Sequence, residues 1–512
     1  MKKSTLFALL CFGLMLTINL SCYEDNSTLD DNLISGVRID TTGMSELTVR
    51  QFERLTLTPD LDIGNLSEAD LSYEWRINLA PNTTEYDVIS TEKNLDYEVR
   101  LPPNRTGRFH QLFYKVIDNI TELEYSIAWP LTVLNNIGEG LVVAVTADGI
   151  TTDISHIMSP EVSPDFNEVS VKQNVYSAIN NNTIDGLIKD MIFTTIFGVD
   201  AMLMITDNSV VRINTLDYTF GGKNDDLFFG NLGTYQPQSL GVATSAVLYV
   251  GSNKFTATNL GISREFGIPF DFTFQVPAEI AVIRKANPPV IISFYDETNE
   301  HFVYQARIGS FGDRNMIRVP SAPTGVFNPD DVTNKTNVAA GVSTTGNFRH
   351  LLKDLTTNEM ILYEFDGGID EFPSPIAPAP LSITSLAGAP NIANAKHFVI
   401  LEDQKVIYYA TDTTIYAMLY SASTPTFETR YTVPAGEKIT TLQVYQQAGY
   451  PYDQSTSYIT TNNKQLIMST YNGTEGKVSI LPIINIGLGN IDTPNIKTFT
   501  GFDRVTAIGT QK

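Results

Sequence analysis

The chain has 512 residues, and 42% of them are hydrophobic, so one to four domains with substantial cores are expected. The formal net charge is −23, and such an acidic surface argues against binding to nucleic acid or to anionic lipid headgroups. Charged residues make up only 18% of the chain, and Thr, Asn and Ser replace much of the charge, which is typical of an extracellular protein rich in β-strands.

The first segment has the layout of a secretory signal. Two lysines near the start give a positive region, residues 6–16 form an apolar run, and the small residue Ser21 precedes Cys22. The apolar run is shorter than the roughly 20 residues that a membrane-spanning helix needs. Residues 1–21 are therefore predicted to be a signal peptide that is cleaved from the mature protein.

Cys22 is the predicted site of lipidation. Leu20-Ser21-Cys22 resembles the lipobox of bacterial lipoproteins, although Asn19 stands where that motif usually has Leu. The other cysteine, Cys11, lies in the predicted signal, so the mature chain would keep one thiol and could form no internal disulfide. Two or more acyl chains on Cys22 would anchor the protein stably. An ordinary signal peptide followed by a chance cysteine is the alternative.

Residues 22–34 are predicted to form an acidic, flexible tether. Tyr23-Glu24-Asp25 resembles the acidic export signal that follows the lipidated cysteine in surface lipoproteins of Bacteroidetes. This resemblance implies a location on the outer face of the outer membrane. A solvated linker without an export role would have a similar composition and is the alternative.

Short segments that alternate apolar and polar residues follow over residues 35–136. Leu71–Ile77 and Leu112–Asp118 are two of them, and turns rich in Pro and Asn separate the segments. Six or seven short strands in about 100 residues predict an immunoglobulin-like β-sandwich. We expect Trp75, in the middle of a strand, to lie in the core rather than to serve as a carbohydrate platform.

Four short motifs in this region resemble the PKD-like family of Bacteroidetes lipoproteins. The resemblance implies a spacer domain followed by a propeller-like region. The motifs, in chain order, are Cys22-Tyr23-Glu24-Asp25, Tyr73-Glu74-Trp75, Asn94-Leu95-Asp96-Tyr97 and Tyr114-Lys115-Val116-Ile117-Asp118.

Residues 137–512 contain a loose repeat of hairpins. A hydrophobic strand, a polar turn with Asp, Asn or Gly, and a second strand recur about every 40–60 residues, most clearly at Val406–Ala417. This spacing predicts a β-propeller with about six to eight four-stranded blades, seven being preferred. The whole chain is thus predicted to be all-β.

The sequence offers little sign of catalysis. None of the five histidines has a partner at metal-ligand spacing, and no HExxH or Gly-x-Ser-x-Gly motif occurs, so no catalytic residue, metal or cofactor is predicted. Acidic clusters at Asp225-Asp226, Asp330-Asp331 and residues 366–371 lie in loop-like segments. We expect them to be surface loops rather than the carboxylate pair of a glycosidase.

Aromatic residues in two loop-like segments are the candidates for ligand binding, since their rings could stack on sugar faces. Packing of these loops onto the propeller is the alternative. The candidates are Tyr218, Phe220, Tyr445, Tyr450 and Tyr452.

The expected function follows from the family resemblance. It implies a non-enzymatic accessory subunit beside a TonB-dependent transporter of the starch-utilisation (SusCD) type, with a glycan or a peptide as ligand. A propeller hydrolase or lyase acting on extracellular polysaccharide is the second hypothesis, and it predicts a polar funnel with convergent acids. A structural or adhesive surface protein is the third.

Overall fold

The computed structural model describes residues 36–512 apart from several internal gaps. Residues 1–35, which hold the predicted signal, Cys22 and the tether, lie outside it, as does Tyr452. No helix in the described part of the chain is long and apolar enough to cross a membrane. The gaps comprise residues 42–45, 79–82, 102, 105–108, 165, 197, 231, 244–245, 252–253, 259–263, 269, 272–276, 278, 283–291, 306–316, 370–375 and 452–457.

The chain divides into two units. The first comprises residues up to Val49, Arg54–Glu98 and Thr106–Thr132, and the second comprises Arg50–Glu53, Val99–Arg105 and Val133–Lys512. The strands of the first part of the chain are β1 (Arg38–Asp40), β2 (Leu47–Arg50), β3 (Arg54–Leu57), β4 (Asp60–Asp62), β5 (Leu71–Asn78), β6 (Tyr86–Ser90), β7 (Leu95–Glu98), β8 (His110–Asp118) and β9 (Glu124–Leu134).

The first unit is the immunoglobulin/PKD-like β-sandwich that the sequence predicts. Its main sheet has the order β2-β9-β8-β5-β6, and β3 pairs with β7, and β1 with β4. Along β8, buried and partly exposed residues alternate strictly, as expected for a strand with one face on a core. Trp75 is fully buried and stacks on Tyr114 with ring centroids 4.2 Å apart, which confirms that it is a core residue.

The described residues of the second unit form thirty strands and one short α-helix, α1 (Val175–Asn180). The strands of its first half are β10 (Gly140–Thr146), β11 (Thr151–Met158), β12 (Ser170–Lys172), β13 (Ile184–Asp185), β14 (Asp190–Ile196), β15 (Val199–Ile205), β16 (Val210–Asn214), β17 (Phe220–Lys223), β18 (Pro237–Ala243), β19 (Ala246–Gly251), β20 (Lys254–Ala257), β21 (Phe270–Asp271), β22 (Ala281–Val282), β23 (Ile292–Asp296), β24 (His301–Gln305) and β25 (Ile317–Arg318). Those of its second half are β26 (Lys335–Val342), β27 (Phe348–Asp354), β28 (Met360–Phe365), β29 (Pro380–Ser385), β30 (His397–Ile400), β31 (Val406–Ala410), β32 (Thr414–Leu419), β33 (Thr426–Thr432), β34 (Lys438–Val444), β35 (Gln465–Tyr471), β36 (Gly476–Ile484), β37 (Asn490–Ile491), β38 (Lys497–Phe502) and β39 (Arg504–Gln511).

These strands form a seven-bladed propeller. Blades two to six each consist of four consecutive strands, from β14–β17 to β30–β33, and blade seven has the order β34-β35-β36-β38. The first blade has the order β39-β10-β11-β12, so its innermost strand is the last strand of the chain. The innermost strands β39, β14, β18, β22, β26, β30 and β34 each contact the next around a closed ring.

The ring is closed by pairing between the two ends of the propeller sequence. In the β39–β10 register, Thr510 lies opposite Leu141 and Ile508 lies opposite Val143. This closure is stabilised further by Gln511, which accepts a hydrogen bond from the Tyr218 hydroxyl over 2.8 Å. Closure leaves the sheet array with only short edges, which protects an all-β domain from pairing with other chains.

In blades one, five and seven, the hairpins between the second and third strands have the same turn chemistry. Asp148 accepts hydrogen bonds from the backbone N–H groups of the residues two and three positions later, both over 2.8 Å. Asp354 and Asn472 do the same in blades five and seven. The side chain thus satisfies backbone donors that the tight turn leaves unpaired. In the hairpin at Val406–Ala417, the clearest example in the sequence, Thr411 rather than an Asp or Asn accepts from the backbone N–H groups two and three positions later, over 3.4 and 3.2 Å.

Glycines let neighbouring innermost strands approach closely. At Gly509 of β39, a Cβ atom would lie 2.6 Å from Cγ of Met191 on β14. At Gly341 of β26, it would lie 3.2 Å from Cβ of Ile400 on β30. Any larger residue at these two positions would require adjacent blades to move apart.

Candidate functional site: the central channel

A cavity of about 610 Å³ lies within the ring of innermost strands. All seven of these strands contribute to its lining, often with consecutive residues, as at 189–193, 238–242 and 508–510. Consecutive residues line it because each innermost strand is hydrogen-bonded along one edge only, to the second strand of its blade. The other edge turns backbone N–H and C=O groups towards the cavity, which we call the channel.

Two carboxylates lie in the channel near the beginning of innermost strands. Asp190 is the first residue of β14, and one of its oxygens (Oδ2) accepts a hydrogen bond from the backbone N–H of Leu240 over 3.2 Å. Burial raises the pKa of Asp190 to about 6, although this hydrogen bond opposes the shift. Glu279 precedes β22, and burial together with the charge of Asp190 raises its pKa to about 7.

Glu279 combines two properties that a closed core does not allow. Its side chain is accessible to water, yet protein atoms surround it closely enough to favour its neutral form. Both follow from its position in a narrow channel. Two acids with raised pKa values therefore share one cavity, which is typical of functional sites.

Polar groups also mark the channel where the innermost strands end. Glu402 follows β30, and Gln443, Gln447 and Tyr450 belong to β34 or to the long loop after it. Burial, followed by the charges of Glu402 and Asp403, raises the pKa of Tyr450.

The described residues of the long loop after β34, 445–451 and 458–464, are connected by amide hydrogen bonds. The side chain of Asn462 donates to Oε1 of Gln447 over 2.6 Å and accepts from the backbone N–H of Gln447 over 2.7 Å. Gln447 also donates to Glu139 over 2.6 Å. The loop therefore presents Tyr450 to the channel from a fixed base.

The aromatic residues proposed as ligand contacts lie in different environments in the structure. Tyr450 lines the channel, whereas Phe220 is 48% exposed on β17, the outermost strand of blade two. Tyr218 and Tyr445 are buried among core residues, so the expectation that their rings form a ligand surface is wrong. The hydroxyl of Tyr445 donates to the backbone oxygen of Val162 over 2.9 Å, which fixes it as a packing residue.

The acidic clusters named from the sequence have local structural roles. Asp225 accepts a hydrogen bond from Tyr235, and Asp330 forms an ion pair with Arg318. Asp366 accepts from two backbone N–H groups of its own loop. Within the described ranges, no group of three or more His, Cys, Asp or Glu residues is arranged to hold a metal ion.

Sequence reasoning did not single out Asp190 or Glu279. One signal was available for Asp190, because it is an acid at the head of the apolar strand segment Met191-Ile192-Phe193. An acid in a strand predicted to be buried has to be paired or to face a cavity. Glu279 carries no comparable local signal, since only the ring closure brings it close to Asp190.

Comparison with known proteins gives a family match over the first part of the chain. A sequence profile described as the PKD-like family matches residues 22–187. A search of curated proteins gave no match. The propeller itself is defined by the strand order given above.

Two solved structures are similar to the chain. One is a quinonprotein alcohol dehydrogenase-like protein from Bacteroides thetaiotaomicron, with 14% identity and a TM-score of 0.49 over 92% of this chain and 98% of that one. The other is PorZ, a surface component of the type-IX secretion system of Porphyromonas gingivalis, with 9% identity and a TM-score of 0.33 over 69% of this chain and 39% of PorZ.

These observations define the class of protein. It is an all-β protein in which a β-sandwich unit is followed along the chain by a seven-bladed propeller with a polar central channel, and its residues 22–187 match the PKD-like family.

Proposed function

We propose that this protein is a surface-exposed outer-membrane lipoprotein that serves as a non-enzymatic binding subunit of a TonB-dependent uptake system. Its ligand is a nutrient glycan or peptide, and the propeller channel receives part of it. The channel is the observation that carries the binding role. Its volume of about 610 Å³ is within the range of small-molecule sites, and its exposed strand edges offer both donors and acceptors of hydrogen bonds.

The membrane part of the proposal is supported at the other end of the chain. The match to the PKD-like family begins at residue 22, the cysteine that the sequence predicts to be lipidated. A lipid there would hold the protein at a membrane surface.

Purification from outer membranes tests the assignment to an uptake system. The full chain with a C-terminal tag, produced in a Bacteroidetes host, should incorporate labelled fatty acid and co-purify with a TonB-dependent transporter after mild solubilisation. The Cys22→Ala variant should lose both properties. Labelled protein that brings down no transporter subunit would overturn the accessory role.

A binding screen tests the role of the channel. Glycans and peptides that bind the wild type should bind Tyr450→Ala at least several-fold more weakly, because this ring lines the channel. Phe220→Ala removes an aromatic ring from the outermost strand of blade two and is the matched control. Equal loss in the two variants, or loss only in the control, would exclude the channel as the site.

A polysaccharide hydrolase or lyase is the second candidate, and the pair Asp190 and Glu279 favours it. Two acids with raised pKa values in one cavity can divide the roles of acid and base. Under the binding proposal, no new reducing ends or unsaturated products appear when bound polysaccharides are incubated with the protein. Product release that disappears in both Asp190→Asn and Glu279→Gln would establish the enzyme instead.

A further inference from the structure

Three adjacent innermost strands bring oxygen acceptors together in the channel. Asp190 on β14 accepts the hydrogen bond from Leu240 of β18, which ties the second blade to the third. Leu240 packs with Leu203 and Ile205 of blade two. Since side chains alternate along a strand, Ser239 projects from the opposite face of β18, towards blade four.

Blade four supplies Glu279 on that side. Gly241 shares the face of Ser239, and a Cβ atom at Gly241 would lie 3.3 Å from Cδ1 of Ile280. The face of β18 that carries Ser239 is therefore packed against the segment that carries Glu279. Glu279 is also close enough to Asp190 for the charge of one to act on the other. Ser239 thus lies on the strand between the two carboxylates.

The hydroxyl of Ser239 is the third polar group in this part of the channel. The residue is only 8% exposed, it lines the channel, and its oxygen has no hydrogen-bond partner among the described residues. A buried hydroxyl is normally satisfied by protein, water or ligand. Lys189 also lines the channel and its charge acts on Asp190, while its Nζ lies 3.2 Å from Oδ1 of Asp207.

We propose that Asp190, Ser239 and Glu279 bind a primary ammonium group of the ligand, such as that of an amino sugar or a peptide. An ammonium group has three donors and no acceptor, and each of these three side chains offers at least one oxygen as acceptor. A cation between two adjacent carboxylates also removes the repulsion that opposes their joint ionisation. The inference rests on the proposed function, because it requires that ligand enters the channel.

Matched pairs of probes test the ammonium group directly. Calorimetric titration or ligand-observed NMR would compare glucosamine with N-acetylglucosamine, and glycylglycine amide with its N-acetylated form. In each pair the acetyl group removes the charge and leaves the rest of the probe unchanged. We expect binding of at least one free amine, and at least tenfold weaker binding of its acetylated partner. The pair that shows this difference identifies the source of the ammonium group.

Variants of the three proposed side chains test where the free amine binds. Asp190→Asn and Glu279→Gln should each weaken binding of the free amine at least tenfold, and Ser239→Ala should weaken it a few-fold. Asp185→Asn is the control, since Asp185 is 86% exposed, pairs with Lys223 and does not line the channel. Circular dichroism would show which variants fold, and Ser239→Ala keeps the test decisive if a carboxylate variant does not.

Three results would overturn the inference. One is equal affinity for free and acetylated probes, and another is tight binding of calcium chloride with the same dependence on Asp190 and Glu279. The third is a neutral ligand whose binding responds to Tyr450→Ala and not to Glu279→Gln. This last result would leave the proposed function standing, whereas the absence of any channel ligand would remove both.

Discussion

A buried ion pair lies between two strands of blade five, β27 and β28, and breaking it should destabilise the propeller strongly. Nε of Arg349 lies 3.2 Å from Oε1 of Glu364, and the two side chains are only 6% and 7% exposed. Arg349 also donates to the backbone oxygen of Leu401 over 2.6 Å, and Ser382 donates to Glu364 over 2.6 Å. Removal of one partner leaves a buried charge, which typically costs about 3–5 kcal/mol.

For Arg349→Ala we expect the lower end of that range, about 3 kcal/mol. The reason is Lys405, whose Nζ lies 3.8 Å from Oε2 of Glu364 and is half exposed, so it compensates part of the remaining charge. The double variant Arg349→Met/Glu364→Leu should be within about 1 kcal/mol of the wild type, because it removes both charges and keeps apolar volume.

Urea unfolding followed by circular dichroism would measure these differences. Both tryptophans of the chain, Trp75 and Trp129, lie in the first unit, so tryptophan fluorescence reports on that unit separately and serves as an internal control. Lys396→Ala, which breaks a largely exposed pair with Asp412, should change stability little. A loss below about 1 kcal/mol in Arg349→Ala, or a double variant as unstable as the single one, would refute this account.

Three further predictions concern the channel and the closure of the ring. The folded protein keeps protons on Asp190 and Glu279 at pH values above the ordinary pKa of a carboxyl group, so its stability should fall as the pH rises from about 4 through 7. Urea midpoints measured across this range should depend less on pH in Asp190→Asn/Glu279→Gln than in the wild type. Gly509→Val should cost about 1–3 kcal/mol by forcing adjacent blades apart, while Gly138→Ala, with only ordinary contacts at its Cβ position, should be close to neutral in the same assay. Tyr218→Phe should cost about 1–2 kcal/mol and speed hydrogen exchange in β39, and unchanged exchange there would count against its role in ring closure.

Much of the fold could be predicted because its signals are local. The alternation along β8 and the hairpin turns at Asp148 and Asp354 depend on residues within a few positions of one another. The repeat of such hairpins was enough to predict seven blades.

The ligand candidates illustrate where local signals fail. Tyr218 follows a turn and precedes a Gly-rich segment, which is typical of an exposed loop, yet the hydroxyl reaches Gln511 at the other end of the propeller sequence. Its burial depends on a strand almost 300 positions away. Tyr450 has a similar local setting and faces the channel, so the sequence could not distinguish the two.

The sequence by itself determined the strands, their turns and the division into two all-β parts, because period-two alternation and turn chemistry act over a few residues. Only the tertiary structure decided that β39 closes the first blade and that Asp190, Ser239 and Glu279 share one channel. Those relations join residues that are tens to hundreds of positions apart, and they exist only after seven separate hairpin repeats have packed into a ring. A channel lined by the free edges of seven strands is a property of that ring and of no single repeat.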